Sequence, residues 1–118
     1  VRSIGAGHVM KLSDYLTHDA TSLAGLVAQG DVTPSQLLDL ALQQHAKVNP
    51  AINAMLCLME ADARRQLENP LSGPFAGVPF LLKDTSQDYA GVPTSNGSAA
   101  LQRNVPARHA AVVRRYLD

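Results

Sequence analysis

Two Gly-Val-Pro tripeptides, Gly77-Val78-Pro79 and Gly91-Val92-Pro93, constrain this chain more than any other feature. Glycine admits backbone angles closed to other residues and proline fixes its own φ, so each tripeptide predicts a rigid turn. Between the turns a short apolar run, 78–82, stops abruptly at Lys83 and Asp84. The run reads as a buried strand. A loop rich in Thr94, Ser95, Asn96, Gly97 and Ser98 follows the second turn. A lysine at the mouth of a buried strand is a candidate for unusual proton chemistry.

Length and charge bound what can surround that lysine. A chain of 118 residues makes one domain and not two of ordinary size. With 46% apolar but only 4% aromatic residues, its core must be built from Leu, Val and Ala. Ten basic and ten acidic residues cancel, which argues against nucleic acid or an anionic membrane as partner. No apolar run approaches the roughly 20 residues of a membrane span. One cysteine, Cys57, allows no internal disulfide and suits a reducing compartment, so a cytoplasmic location is expected. Residues 1–9 lack the apolar core of a signal peptide, and Met10 reads as a clean protein opening. Residues 1–9 are therefore expected to be disordered or a non-native extension, and 10–118 to be the domain.

Along the chain, Asp19 can cap a helix carrying Leu23, Leu26 and Val27 that Gly30 stops. Thr33-Pro34-Ser35-Gln36 is a stronger helix start, with a capping threonine, a proline at the first position and a glutamine three after the cap. Leu38, Ala41, Leu42, His45 and Val48 then recur at helical spacing, and Asn49-Pro50 is expected to end the helix. Two helices joined this way could suggest a helix-turn-helix, but the second lacks Arg or Lys at its start. Residues 52–58 are mostly apolar on both faces and predict a strand, with a short buried helix as the alternative. Residues 60–68 predict a helix with Glu60 and Arg64 paired one turn apart. Pro106 is expected to open a last helix on which His109, Val112, Val113, Tyr116 and Leu117 share a face. His45 reads as a packing or boundary residue, since no second titratable group recurs beside it, and His109 as a packing or surface residue and not a ligand.

The ordinary reading of Lys83-Asp84 is a surface ion pair. Three features push the other way: five side chains without polar atoms precede the lysine, a hydroxyl-rich loop returns nearby, and Pro79 and Pro93 stiffen both approaches. A lysine acting as a base near neutrality must be desolvated and kept from a carboxylate, so its stem is expected to be buried. Adjacent strand residues point to opposite faces, which would turn Asp84 away. The local hydroxyls, Ser86, Ser95 and Ser98, occupy no nucleophile-elbow pattern. The histidines are scattered and the acids show no ligand spacing, so no metal is expected. The residues alone thus offer a base without a nucleophile.

The strings G-P-F-A-G-V-P-F-L-L-K-D and A-G-V-P-T-S-N-G-S resemble the N-terminal part of amidase signature serine hydrolases. The likeness extends upstream through D-A-T-S-L-A-G-L-V-A-Q-G-D-V-T-P-S-Q-L-L and V-N-P-A-I-N-A-M, and downstream to H-A-A-V-V-R-R-Y-L. The wording is most similar to members acting on 6-aminohexanoate cyclic dimer. The resemblance implies an α/β fold, of which this chain supplies the N-terminal helices and the first strands of a mixed sheet. It also implies amide hydrolysis by a Ser–cis-Ser–Lys triad with Lys83 as the base, and no cofactor. Gly77, Pro79, Asp84, Thr94, Gly97 and Ser98 would form the supporting turns. The substrate would be a small-molecule amide, and the full-length protein a homodimer. Family members carry both serines further along, in a G-S-S-G-G-S-like segment absent here. The expectation is a truncated amidase domain, inactive alone.

Two other readings stand beside this one. One is a segment of the A-type chain of a glutamyl-tRNA amidotransferase. The other is a non-catalytic interaction module, which predicts a soluble monomer with cooperative unfolding. A fragment predicts exposed apolar faces instead.

Overall fold

The computed structural model describes residues 9–118. Contacts divide the chain into two compact units, Val1–Pro79 and Phe80–Asp118. The expectation for residues 1–9 lies, apart from Val9, outside the described residues.

The first unit is helical. A short helix α1 (Leu12–Tyr15) precedes α2 (Ala20–Gln29), which begins where the Asp19 carboxylate accepts the Ser22 N–H at 2.8 Å and ends at Gly30 with φ 77°. The long helix α3 (Pro34–Ile52) starts on the expected capping box. The Thr33 hydroxyl accepts the Gln36 N–H at 3.2 Å, and the Gln36 side chain accepts the Thr33 N–H at 2.8 Å. Two of the unpaired donors of the helix start are thereby satisfied, and Pro34 has no N–H to satisfy. Helix α4 (Glu60–Gln66) carries the expected Glu60–Arg64 pair, and Arg64 also reaches Asp39 at 2.8 Å. These charges lie on an exposed surface and contribute little to stability.

The core of this unit joins Met10, Leu23, Leu26, Val32, Leu37 and Leu40, with Val78 packed against it. Its centre on α3 is Leu37, fully buried. The expected stripe through Leu38, Ala41, Leu42, His45 and Val48 is therefore offset: of these only Leu38 is buried, and the other four are half-buried. Helix α3 also runs beyond the expected stop at Asn49-Pro50. Pro50 lies in the last turn, where its missing N–H removes a single ladder bond. The helix closes instead at Asn53, in the left-handed conformation with φ 47°, whose N–H reaches the Asn49 carbonyl at 2.7 Å.

Neither expected strand is a strand, and no strand occurs among the described residues. Ile52 ends α3. In the segment after it, Met55 exchanges two bonds with the Asn49 side-chain amide, which accepts the Met55 N–H at 2.8 Å and donates to its carbonyl at 3.2 Å. Residues 78–82 likewise lack a ladder, and Phe80 and Leu81 are each about two-thirds exposed at 67% and 68%. A strand exists only through backbone bonds to a neighbour, so apolar composition alone does not make one. The observed part of the expected α/β architecture is its helices.

The second unit is mostly loop, with a single 3-10 turn (Ala99–Leu101) and helix α5 (Ala111–Leu117). Helix α5 begins five residues after Pro106, because 104–110 is held elsewhere. The Pro106 carbonyl accepts the Gly91 N–H at 3.0 Å, the Asn104 carbonyl accepts the Thr94 N–H at 2.9 Å, and the Ala110 N–H reaches the Asp88 carbonyl at 2.9 Å. The two arms run antiparallel. At Thr94 the return bond comes from the Asn104 side chain, which donates to the Thr94 carbonyl at 3.2 Å where a strand would use backbone. On the expected face of α5 only Val113 is buried, while the Phe80 ring packs at a tilt against Tyr116, 4.8 Å between ring centroids. No described helix is long and apolar enough to cross a membrane.

Candidate active site

Both Gly-Val-Pro sequences form the same turn. The Val78 N–H reaches the Phe75 carbonyl at 3.0 Å and the Val92 N–H reaches the Tyr89 carbonyl at 3.1 Å, with Gly77 (φ 79°) and Gly91 (φ 81°) at the third position. That is the glycine position of a type II turn. The two glycines differ in surroundings. A Cβ on Gly77 would stand 2.7 Å from Pro34 Cγ and 3.3 Å from Val27, whereas one on Gly91 would meet nothing within 4 Å. Gly77→Ala is therefore expected to destabilise the first unit by roughly 2–4 kcal/mol, from backbone strain plus overpacking. Gly91→Ala should cost about 1–2 kcal/mol, from backbone strain alone. Urea unfolding of the two variants would separate these terms.

The expected site residues fall into two groups. Gly77 and Pro79 belong to the first unit, and Lys83, Asp84, Thr94, Gly97 and Ser98 to the second. Within the second unit, two turns meet. Residues 84–86 form one, with Ser86 at φ 63°. Residues 95–98 form the other, closed by Ser98 N–H on the Ser95 carbonyl at 2.9 Å, with Asn96 (φ 50°) and Gly97 (φ 71°) both left-handed. Asn96 and Gly97 are residues with a strong turn preference, and here they form the centre of one.

Asp84 fastens the two turns together. One carboxylate oxygen accepts the Ser95 N–H at 2.8 Å and the other accepts the Ser95 hydroxyl. The Gly97 N–H in turn reaches Ser95 Oγ at 3.2 Å. A second link joins the Ser86 N–H to Asn96 Oδ1 at 3.3 Å. The Ser95 hydroxyl, then the Ser95 N–H, hold the Asp84 carboxyl below the usual carboxylate range; partial burial opposes them, and the Gly97 N–H and the Lys83 charge add less. Because this pKa is depressed on folding, the fastening is present at neutral pH. It is lost as pH falls below the ordinary aspartate value of about 3.9 and through the folded value.

Lys83 is exposed, so the expected buried stem is not found. The reason is the missing ladder: residues 78–82 are not sealed between neighbouring strands. The Lys83 backbone is nevertheless fixed, its N–H reaching Gln87 Oε1 at 2.7 Å. Thr94 is buried at 4% exposure, with both backbone groups engaged by Asn104. Sequence reasoning missed Asn104, and it left Ser95 and Asn96 as unassigned polar neighbours. Nothing in their spacing signals partners ten or eleven residues away. His109 proves a packing residue as expected, edge-on to Tyr89 at 4.5 Å, with Nδ1 accepting the Ala90 N–H at 3.0 Å.

Residues 36–118 match the family described as Amidase. The chain belongs to the amidase family. Among relatives of this amidase chain is the 6-aminohexanoate-cyclic-dimer hydrolase of Paenarthrobacter ureafaciens, 46% identical over 69 residues, covering 58% of this chain and 14% of the relative. The lipoamidase of Enterococcus faecalis is 33% identical over 106 residues, covering 88% and 15%. The A chain of the glutamyl-tRNA(Gln) amidotransferase of Acidothermus cellulolyticus is 34% identical over 116 residues, covering 91% and 23%. The chain thus matches between about a seventh and a quarter of the length of these relatives. No solved structure matches it.

Proposed function

We propose that this amidase chain is the lysine-bearing segment of an enzyme that hydrolyses a carboxylic amide, with Lys83 as general base. The observation that carries the reading is the Lys83-Asp84 pair between two Gly-Val-Pro turns, inside a stretch matched to the amidase family. In the reaction Lys83 takes a proton from a cis-serine, which takes one from the nucleophilic serine. That serine's oxygen attacks the amide carbonyl, and the amine departs with a proton passed back along the relay. Water then attacks the ester with the same base and releases the acid. The reading uses no metal or cofactor.

Both serines lie outside residues 1–118 in this reading, so the segment alone does not turn over substrate. Ser95 fits that assignment, because its hydroxyl is already engaged with Asp84 and Gly97. The exposed apolar residues Leu56, Leu58, Phe80 and Leu81 support a second element of the reading: 52–58 and 78–82 become strands of a mixed sheet when further chain pairs with them. The same covering would desolvate Lys83, as a base requires. The enzyme is proposed to act in the cytoplasm, as a homodimer, on a small-molecule amide.

The amidotransferase relative covers 91% of this chain, which favours a second reading in which the amide is that of glutamine and the ammonia is passed on. Reading the genomic DNA beyond the Asp118 codon tests both. An in-frame serine- and glycine-rich segment is expected, and its absence would refute both. If it is present, a glutaminase assay against an aliphatic amide assay decides between them.

A further inference from the structure

We propose that Asp84 is a positioning residue for Lys83, locking the backbone that carries the lysine onto the 95–98 turn and engaging its own carboxylate there instead of with its neighbour's amine. The inference rests on the reading of Lys83 as a base. It answers a difficulty in that reading: a carboxylate next in sequence to a catalytic lysine would hold the proton on it.

The geometry lessens the difficulty. Both Asp84 oxygens face Ser95, one taking its N–H at 2.8 Å and the other its hydroxyl. The Gly97 N–H closes the cluster through Ser95 Oγ at 3.2 Å. No ion pair joins Asp84 to Lys83 among the described residues. On either side of Asp84 the same turn is tied down independently, by Lys83 N–H on Gln87 and by Ser86 N–H on Asn96. Three attachments therefore fix the backbone over 83–86, and the middle one has a charged acceptor. Bonds that include a charged partner are roughly twice as strong as neutral ones, so the Asp84–Ser95 contact dominates the set. The Lys83 side chain then leaves a fixed Cα with no carboxylate paired to its amine.

Hydrogen exchange read by mass spectrometry on this chain tests the structural half. In Asp84→Ala, peptides spanning 83–98 are expected to exchange about 10- to 100-fold faster, matching the loss of a charge-assisted bond. Peptides from α2 and α3 should be unchanged, which also reports that the variant has folded. Ser95→Ala, which leaves Asp84 in place, should give a smaller effect in the same peptides. Unchanged exchange over 83–98 in both variants would overturn the proposal.

Kinetics of the full-length amidase test the functional half. Asp84→Asn, which keeps the shape but loses the charge, is expected to lower kcat about 10- to 100-fold with KM within twofold. Asp84→Glu, which restores the charge, should recover part of the loss. Wild-type kcat in Asp84→Asn would overturn the positioning role while leaving Lys83 as base. Undiminished turnover in Lys83→Ala would instead remove the base, whatever Asp84 does to the exchange pattern.

Discussion

Lys83→Ala in the full-length amidase is expected to lower kcat by about 10⁴-fold while leaving the melting temperature within a degree or two. The size follows from what a general base contributes when it activates a nucleophile as part of a relay, where loss of one member disables the unit. The small effect on stability follows from what Lys83 holds: its fixed point is a backbone N–H that alanine retains, and none of the described ion pairs uses its amine. Turnover of an aliphatic amide, measured beside a melting curve by circular dichroism, checks both halves. Activity within tenfold of wild type would refute the base assignment. A large fall in melting temperature would assign the lysine to structure.

Leu37→Ala is expected to cost about 2–5 kcal/mol, the largest stability effect of any single truncation in the first unit. Leu37 is fully buried, at the centre of a cluster that joins α2, α3, Met10 and Val32. Its removal leaves a cavity that helices on two sides cannot both close. With domains of this kind stable by only about 5–15 kcal/mol, a loss of that size is a large fraction of the total. The half-buried Leu42, five residues along α3, should cost clearly less. Urea denaturation followed by helical ellipticity would rank the two, and equal effects would contradict the placement of the core.

Local signals were legible in the sequence, and pairing was not. The Asp19 cap, the Gly30 stop and the Thr33–Gln36 box depend on residues within one turn, so their spacing is sufficient evidence. Both Gly-Val-Pro turns were legible for the same reason. Pro50 misled because a proline stops a helix less firmly in its last turn than in its interior. The apolar runs at 52–58 and 78–82 misled because a strand depends on a neighbour that composition does not describe. The start of α5 was displaced by bonds from 88–94, again a property of distant residues.

The candidate site divides along the same line. Lys83 and Asp84 stand out as a charged pair closing an apolar run, and the family likeness selects the lysine. What the carboxylate does could not be read from adjacency, which favoured an ion pair or a turned-away side chain. Its partner, Ser95, is eleven residues further on, brought back by the turn at Gly91 and the arm held by Asn104. Burial of Lys83 also failed as an expectation, for want of strands around it.

The central claim is that this chain supplies the base of an amidase whose nucleophile lies elsewhere. A fluorophosphonate probe applied to the product of the complete reading frame, followed by peptide mapping, tests it most directly. The account predicts covalent label on a serine beyond residue 118, formed far more slowly in Lys83→Ala. Label on Ser86, Ser95 or Ser98, or labelling at an equal rate without Lys83, would contradict it.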